Sequence, residues 1–315
     1  MESRKGWALI SEPERDRLLA VYQSRDFKAL GWESQSCGVQ INTLIRRLQE
    51  WQASKRDKIV ENPMRPSWTT GFIRLETDNA VFISDWEVPD HDDQLFDFAK
   101  RVGRIYGIDT LILGGDMLAS DQPGLTTHDA TWETRQESYE DNVATLRKLV
   151  KDLSEVYTKR YAIEGNHDRR VSKITKGAVW YGMFMNDLGV ECSRFPFLWC
   201  NTKTNRGLVR FTHPEPFSEN AIGMGRTLID KSRIKSHIVM AHTHQGQRGW
   251  SKDGQWEVVA AGCMRSPHKT QYKNIVDNKY GEWQPGFVMM LNGYFYLMNL
   301  YSTDWKRVLD GGLIT

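Results

Sequence analysis

The sequence lacks any apolar run long enough to cross a membrane. Its most apolar late segment, residues 286–291, is interrupted by Asn292-Gly293 before a second apolar run, which is the pattern of a β-hairpin. The chain also lacks an apolar run near residue 1, and it has no internal repeat or low-complexity segment. We therefore expect a protein with no membrane partner.

Cysteine is scarce, and neither charge dominates. The four cysteines, Cys37, Cys192, Cys200 and Cys263, are widely spaced and form no C-x-x-C pair, so the sequence predicts a reduced, cytoplasmic protein. The 42 basic and 40 acidic residues give a formal net charge of +2. Because no overall field then attracts nucleic acid or membranes, any basic binding surface must be local.

The first 60 residues have a helical pattern. Residues 13–22 follow a possible cap at Ser11, and a second short helix is predicted from Asp26 to Leu30. After a glycine turn, a third helix is predicted to begin with Asn42 as its cap and to run to Trp51. Two helices, a glycine turn and a basic helix occur in this order in helix-turn-helix modules.

The third predicted helix has a basic face. It carries Arg46 and Arg47, and three further basic residues follow at positions 55, 56 and 58. Charge concentrated there would meet DNA phosphates if this were a recognition helix. The alternative is a small helical cap with a solvated charged face.

Two prolines within residues 61–68 predict a linker, because proline does not continue a helix. We therefore predict a helical module at 1–60, a linker at 61–68 and a second domain at 69–315. In that domain, predicted strands and helices alternate, which indicates an α/β fold. The predicted strands are 80–84, 110–114, 160–164, 208–212, 237–241, 256–261 and the hairpin around 292–293, and the predicted helices are 93–106 and 132–157.

Side chains that bind metals follow several of these strands. They occur in Ser84-Asp85, Gly115-Asp116, Gly165-Asn166-His167, His213 and His242-Thr243-His244. Carboxylate, amide and imidazole groups are ligands of divalent cations, and open sheets bind ligands at the carboxyl ends of their strands. The pattern predicts a hydrolase site with two metal ions.

This order of residues, from about Val81 to Gly262, resembles the calcineurin-like metallophosphoesterase superfamily, whose motifs are D-x-H, G-D, G-N-H-[DE], H and G-H-x-H. The resemblance implies an α/β fold in which two mixed β-sheets pack face to face and are flanked by helices. It also implies two divalent ions that activate a hydroxide for phosphoester hydrolysis. The implied ligands are Asp85 and His244 for one ion, Asn166, His213 and His242 for the other, and Asp116 between them. Glu87 could complete the first set.

The first departure from the family pattern is Glu87, which replaces a histidine. A carboxylate is a harder ligand than imidazole, so it favours Mn²⁺ or Mg²⁺ over Zn²⁺, with Fe as a further possibility. His91 is an alternative ligand that lies close in the sequence. Another alternative is that this half of the site is weakened or empty.

A second departure concerns His167, which resembles the family histidine that gives a proton or hydrogen bond to the leaving oxygen. Many relatives orient that histidine with an acid three residues after the bridging aspartate, where this chain has Ala119. Asp121 is a candidate substitute, and the alternative is that nothing replaces the acid. We expect Asp168 to lie in the turn or behind the ligands.

Three arginines are candidates for binding the substrate phosphate. Arg169 and Arg170 directly follow the Asn-His-Asp cluster, where a guanidinium could hold a phosphate oxygen. The alternative is the solvated start of a helix. Arg265, beyond Gly262, is a further candidate.

These residues predict a metal-dependent phosphodiesterase or nuclease that acts on DNA, because the superfamily includes DNA nucleases and this chain adds a helix-turn-helix pattern. One alternative is a phosphatase or phosphodiesterase for a small-molecule or protein substrate, with the N-terminal helices as a lid or docking surface. Another is a DNA-binding regulator whose catalytic site has decayed at Glu87 and Ala119. The sequence predicts no particular oligomeric state.

Overall fold

The computed structural model describes residues 10–23, 27–37, 39–48, 73–119, 138–204, 206–266 and 283–312. The chain divides into two compact units, Met1–Thr69 and Thr70–Thr315. In the described ranges, no helix combines the length and apolarity that a membrane span requires.

The described part of the first unit is helical. Helix α1 spans Glu12–Gln23, α2 spans Phe27–Cys37, and residues 41–48 form α3. Their apolar faces meet in one core, because leucines recur at helical spacing along the segment. The buried members of this core are Ile10, Leu18, Leu19, Leu30, Cys37, Val39, Leu44 and Leu48.

The helix boundaries differ from the prediction at two places. Helix α2 continues to Cys37, well past the predicted end at Leu30. The predicted cap Asn42 is wrong, because the amide of Leu44 already donates to the carbonyl of Gln40 at 2.8 Å, so α3 includes residue 41. The basic positions 55, 56 and 58 lie outside the described residues.

The second unit contains twelve strands in its described residues. They are β1 (Arg74–Glu76), β2 (Ala80–Ile83), β3 (Thr110–Leu113), β4 (Lys159–Ala162), β5 (Glu191–Cys192), β6 (Phe197–Asn201), β7 (Leu208–Thr212), β8 (His237–Met240), β9 (Gly246–Trp250), β10 (Glu257–Ala261), β11 (Gly286–Leu291) and β12 (Tyr294–Asn299).

These strands form two mixed sheets of six strands each. One has the order β1-β6-β7-β8-β10-β9, and the other has the order β12-β11-β2-β3-β4-β5. Strands β2 to β5 are parallel, and so are β7, β8 and β10. The predicted hairpin joins β11 and β12 through Asn292 and Gly293, both of which have positive φ.

The two sheets pack face to face, which confirms the predicted fold class. One apolar core lies between them, since buried side chains of both sheets belong to a single cluster that includes Phe82, Ile112, Phe211, Val239 and Val288. Helices cover the outer faces. Those on the second sheet include α4 (Asp93–Ile105), α5 (Tyr139–Ser154), α7 (Tyr181–Asp187) and α9 (Trp305–Leu309), while α8 (Ala221–Lys231) covers part of the first.

Side-chain caps set the beginnings of α4 and α5, the two helices that the sequence predicts in this unit. The Asp92 carboxylate accepts a hydrogen bond from the amide of Leu95 at 2.9 Å, so α4 begins at Asp93 as predicted. Ser138 caps α5 in the same way through the amide of Asp141, and the helix begins at Tyr139 rather than Trp132. Residues 132–137 lie outside the described part of the chain.

Candidate metal centre

Turns after five strands bring the predicted ligands to one edge of the sandwich. His213 follows β7 and is fully buried. Its Nε2 lies 3.2 Å from Oδ2 of Asp116, which follows β3, and 3.1 Å from Oδ1 of Asn166, which follows β4. His242, after β8, completes this half: the ligand atoms of Asp116, His213 and His242 lie within 4.8 Å of one another.

The other half of the centre contains Asp85, Glu87 and His244. Nε2 of His244 lies 3.3 Å from Oδ1 of Asp85 and 3.3 Å from Oε1 of Glu87. Ligand atoms of Glu87, Asp116 and His167 also lie within 4.8 Å of one another. Glu87 therefore faces the centre, whereas Nε2 of His91 lies 3.2 Å from Asp93.

The backbone at these turns adopts an unfavourable conformation. Among the described residues, seven non-glycine residues have positive φ, and five of them belong to the centre, with φ between 45° and 77°. Positive φ costs side-chain-bearing residues about 1–3 kcal/mol each, and such residues cluster at functional sites. These five residues are Asp85, Glu87, Asp116, His242 and His244.

Buried charges set the protonation of the second half. Burial alone would lower the pKa of His213, but the Asp116 carboxylate more than offsets this effect and raises it to about 9. The pKa of His242 falls to about 4 because of burial and the nearby positive charge of His213. His242 is therefore neutral, and its buried Nε2 has no hydrogen-bond partner among the described residues. An imidazole nitrogen in this state fits a metal ligand.

Opposite charges also pair in the first half. Burial opposes ionisation of Glu87, but the positive charge of Arg265 holds the pKa of Glu87 well below the usual range. Hydrogen bonds to Asp85 and Glu87 raise the pKa of His244 against the effect of its own burial. Carboxylates held as anions beside imidazoles are compatible with divalent cations, which would displace the imidazole protons.

Asp168 holds two turns of the centre together. Its buried carboxylate accepts hydrogen bonds from the amides of Asp116, Met117 and Gly165 at 2.7, 3.1 and 3.0 Å. Burial and the charge of Asp116 nevertheless raise its pKa to about 6. Asp168 thus lies behind the ligands, and Asp121 lies outside the described residues.

The carbonyl of Ala119 orients His167. Nδ1 of His167 lies 2.6 Å from this oxygen, so the hydrogen-bond pattern assigns the proton to Nδ1. Nε2 then accepts, and it lies 3.1 Å from Nη2 of Arg170. The amide of His167 donates to Oδ1 of Asp116 at 2.7 Å. The backbone oxygen of Ala119 therefore contacts the histidine at the position where many relatives have an acid.

The candidate phosphate-binding arginines differ in position. Arg170 donates to the carbonyl of Ala119 at 3.1 Å, beside His167. Arg169 pairs with Glu215, and its Nε donates to the carbonyl of Gly165 at 3.3 Å. Both lie on α6 (Asp168–Ile174), so a helix does begin here. Arg46 and Arg47 are exposed on α3 of the first unit.

The expectation that Arg265 binds phosphate is wrong. Its side chain is 1% exposed, and its two terminal nitrogens pair with Glu87 and Asp90. Sequence reasoning missed Asp90 and two aromatic neighbours of the histidines. Phe217 lies edge-on to His242 at 5.8 Å, and Trp283 lies edge-on to His244 at 4.3 Å. Asp90 and Phe217 lie close to ligands in the sequence, which is the only signal that could have indicated these two residues.

No family model matches the chain, and no curated protein matches it by sequence. Among solved structures, it is similar to Yfce, a phosphoesterase from E. coli, with 12% identity and a TM-score of 0.41 over 71% of this chain and 93% of that chain. It is also similar to a protein from Streptococcus pneumoniae described as a predicted phosphoesterase, with 13% identity and a TM-score of 0.33 over 67% of this chain and 81% of that chain. At these values the likeness identifies no family for this chain.

Proposed function

We propose that this protein is a metal-dependent phosphoesterase. One observation carries the proposal: seven acid, amide and imidazole side chains from both sheets meet at the carboxyl edge of the sandwich, and five of them have positive φ. Two divalent cations bound there would neutralise phosphoester oxygens and make water a better nucleophile. The protein would supply the ligands and orient the substrate.

The donor atoms suit two ions that share one carboxylate. We assign Asp116 to the shared position, because it lies in reach of both halves. Four side chains offer oxygen and three offer nitrogen, a mixture that favours Mn²⁺ and also suits Mg²⁺, Zn²⁺ or Fe. The proposed ligands are Asp85, Glu87 and His244 for the first ion, and Asn166, His213 and His242 for the second.

His167 and Arg170 are the groups we propose to act on the substrate. Since Nδ1 of His167 donates to Ala119, only Nε2 could give a hydrogen bond to a leaving oxygen, and it would do so when the imidazole carries a second proton. The guanidinium of Arg170 lies 3.1 Å from that nitrogen, so both groups would reach the same part of a bound phosphoester. Arg170 would bind a phosphate oxygen through its permanent charge.

DNA is the proposed substrate. The first unit has the helix order of a helix-turn-helix module, with Arg46 and Arg47 exposed on the last described helix. A module of this kind would hold DNA through its phosphates and raise the local concentration of scissile bonds. The site itself would accept any phosphodiester that reaches the two ions.

The test supplies metal-stripped protein with Mn²⁺ and then with single-stranded DNA, duplex DNA, a chromogenic diester and a chromogenic monoester. We expect cleavage of DNA and of the diester. Asp116→Asn should lose at least about 100-fold in rate, since changes behind metal ligands alone cost about 10- to 100-fold. Asp93→Asn is the matched control, because Asp93 is an exposed carboxylate on α4.

Each other outcome has a different meaning. Full activity in Asp116→Asn would refute the shared-ligand assignment. Monoester hydrolysis with intact DNA would instead indicate a phosphatase for a small-molecule or protein substrate. Stabilisation by Mn²⁺ with no turnover of any substrate would indicate a DNA-binding regulator without catalytic activity.

A further inference from the structure

A buried arginine lies directly behind the first half of the centre. Nη1 of Arg265 pairs with Oε2 of Glu87, and Nη2 pairs with Oδ2 of Asp90. The other carboxylate oxygen of Glu87 lies 3.3 Å from His244, inside the centre. Glu87 thus joins Arg265 to the ion site, while Arg265 itself is not a ligand.

Backbone hydrogen bonds fix the position of Arg265. The segment after β10 is bound to the loop after β2, with the amide of Met264 donating to the carbonyl of Ser84 at 3.0 Å. The amide of Ser266 donates to the carbonyl of Asp90 at 2.7 Å. Arg265 lies between these two bonds, so its backbone is fixed on both sides.

The three charges have a simple sum. Two carboxylates and one guanidinium, those of Glu87, Asp90 and Arg265, give a formal charge of −1. Without the guanidinium the same group would carry −2, and without one carboxylate it would be neutral. Because all three side chains are buried, water screens their effect on a nearby cation only weakly.

We propose that Arg265 sets the charge of the first ion site by cancelling the charge of one of the two carboxylates it pairs with, without contacting the ion itself. The inference rests on the proposed metal-dependent function. It explains how a glutamate can serve beside Asp85 and Asp116 without an excess of negative charge in the metal-free protein. Glu87, Asp90 and Arg265 are called the trio below. The first ion should bind more tightly as the summed charge of the trio becomes more negative.

Calorimetric titration of Mn²⁺ into the metal-stripped full chain tests this relation without measuring activity. Glu87→Gln keeps an amide oxygen as ligand but neutralises the trio, so the first ion should bind at least about tenfold more weakly. Glu87→Gln with Arg265→Met returns the trio to −1 and should recover most of that loss. Arg265→Met alone gives −2 and should bind the first ion at least as tightly as the natural chain.

Arg206→Met is the matched control. Arg206 pairs with Glu257, which is fully buried, but it precedes β7, at the end of that strand opposite His213. The control removes an arginine from a buried carboxylate, although Glu257 keeps its second partner Arg248, and it should leave Mn²⁺ binding unchanged while its thermal stability falls. An equal change in Mn²⁺ binding in Arg206→Met would overturn the inference, because the effect would then follow from general destabilisation.

Other results separate this inference from the proposed function. If the natural chain binds Mn²⁺ but the double variant binds it no better than Glu87→Gln, the inference alone fails. Weaker binding in Arg265→Met would also overturn it, since Arg265 would then act by orienting Glu87 rather than by its charge. If the natural chain binds no divalent ion, the proposed function fails and the inference fails with it.

Asp90→Asn provides a second route if the double variant does not fold. This change neutralises the trio without touching Glu87 or any proposed ligand. It should lower the affinity for the first ion at least about tenfold, and adding Arg265→Met to this variant should reverse the effect. Unchanged Mn²⁺ binding in Asp90→Asn would overturn the inference.

Discussion

His213 and Asp116 form a buried ion pair in the metal-free protein. Their closest atoms are 3.2 Å apart, and each side chain serves as the counterion of the other. A histidine that binds a metal must be neutral, so an ion can bind His213 only when its proton leaves. Metal binding and protonation therefore compete at this residue.

This competition predicts a pH dependence of Mn²⁺ binding. Because the pKa of His213 is about 9, apparent affinity should rise with pH up to about 9, and one proton should be released for each ion that binds this half near pH 7.5. Calorimetry in two buffers of different ionisation enthalpy measures the released proton. His213→Gln should remove the proton that this half releases and leave any proton that His244 releases in the first half. An undiminished total release in that variant would contradict the assignment.

The free energy of unfolding of the metal-free protein should fall as pH rises, which is opposite to the trend in Mn²⁺ affinity. The folded pKa of His213 lies above its unfolded value of 6.5, so the pair contributes its full stabilisation below about pH 6.5. That contribution is lost as pH rises through about 9. Urea unfolding of metal-free protein across this range, with His213→Gln as reference, measures the difference.

The candidate ligands that follow apolar strands could be predicted from the sequence, but the side chains that pair with them could not. Asp116, Asn166 and His213 each follow a strand that the periodicity indicates, and the structure brings them together. The pairing of Arg265 with Glu87 depends on how the turn after β10 meets the loop after β2. Those segments belong to different sheets, and no local pattern relates them.

At the scale of the elements, the turns after β3 and β4 pack against each other through two glycines. Gly115 follows β3 with φ of 92°, and a Cβ there would lie 2.6 Å from the amide nitrogen of Gly165 and 2.8 Å from Nδ1 of His213. A Cβ on Gly165 would in turn lie 2.1 Å from Oδ1 of Asp116. The turns after β3 and β4 thus approach as closely as they do because neither residue has a side chain.

Gly115→Ala should therefore disturb the centre, and Gly207→Ala should not. Gly207 has nearly the same φ, 90°, but no described atom lies within 4 Å of the point where its Cβ would stand. Both changes carry a backbone cost of about 1–2 kcal/mol. Only Gly115→Ala should lose further stability and weaken Mn²⁺ binding, as measured by urea unfolding and calorimetry. Equal losses in the two variants would show that the close approach is unimportant.

The same scale shows which elements a sequence can predict. Strand β7 has its predicted bounds, Leu208–Thr212, because an apolar run with few breaks marks it. Strand β9 and helix α8 were not predicted, since each contains two glycines. In α8 one of these, Gly225, allows close packing, for a Cβ there would lie 2.2 Å from Val258 of β10. Tertiary contact, which local propensity does not encode, determines both elements.

At the scale of the whole molecule, the chain consists of two units with separate cores. The first offers a basic helix, and the second offers the candidate metal centre. If the first unit binds DNA and the second cleaves phosphoesters, changes in one should leave the chemistry of the other intact. This separation distinguishes a DNA-targeting module from a structural part of the catalytic site.

Replacing Arg46 and Arg47 with alanine tests this separation. DNA binding should weaken, and the slope of log affinity against log salt should flatten by roughly 2, since each lost phosphate contact removes about one unit. Hydrolysis of a small chromogenic diester should be unchanged. Lys231 and Arg233, exposed on the second unit, are the matched control pair. Equal loss of diester hydrolysis and DNA cleavage would instead indicate a structural role for the arginines.

The ligands of the centre come from both sheets. His242, which follows a strand of one sheet, donates its amide to Asp85, which follows a strand of the other, across a sequence separation of 157 residues. An ion coordinated on both sides would act as a reversible cross-link, closing a loop that the unfolded chain closes only at an entropic cost growing with loop length. Loss of the ion to a chelator would then shorten the lifetime of the fold as well as end the proposed catalysis.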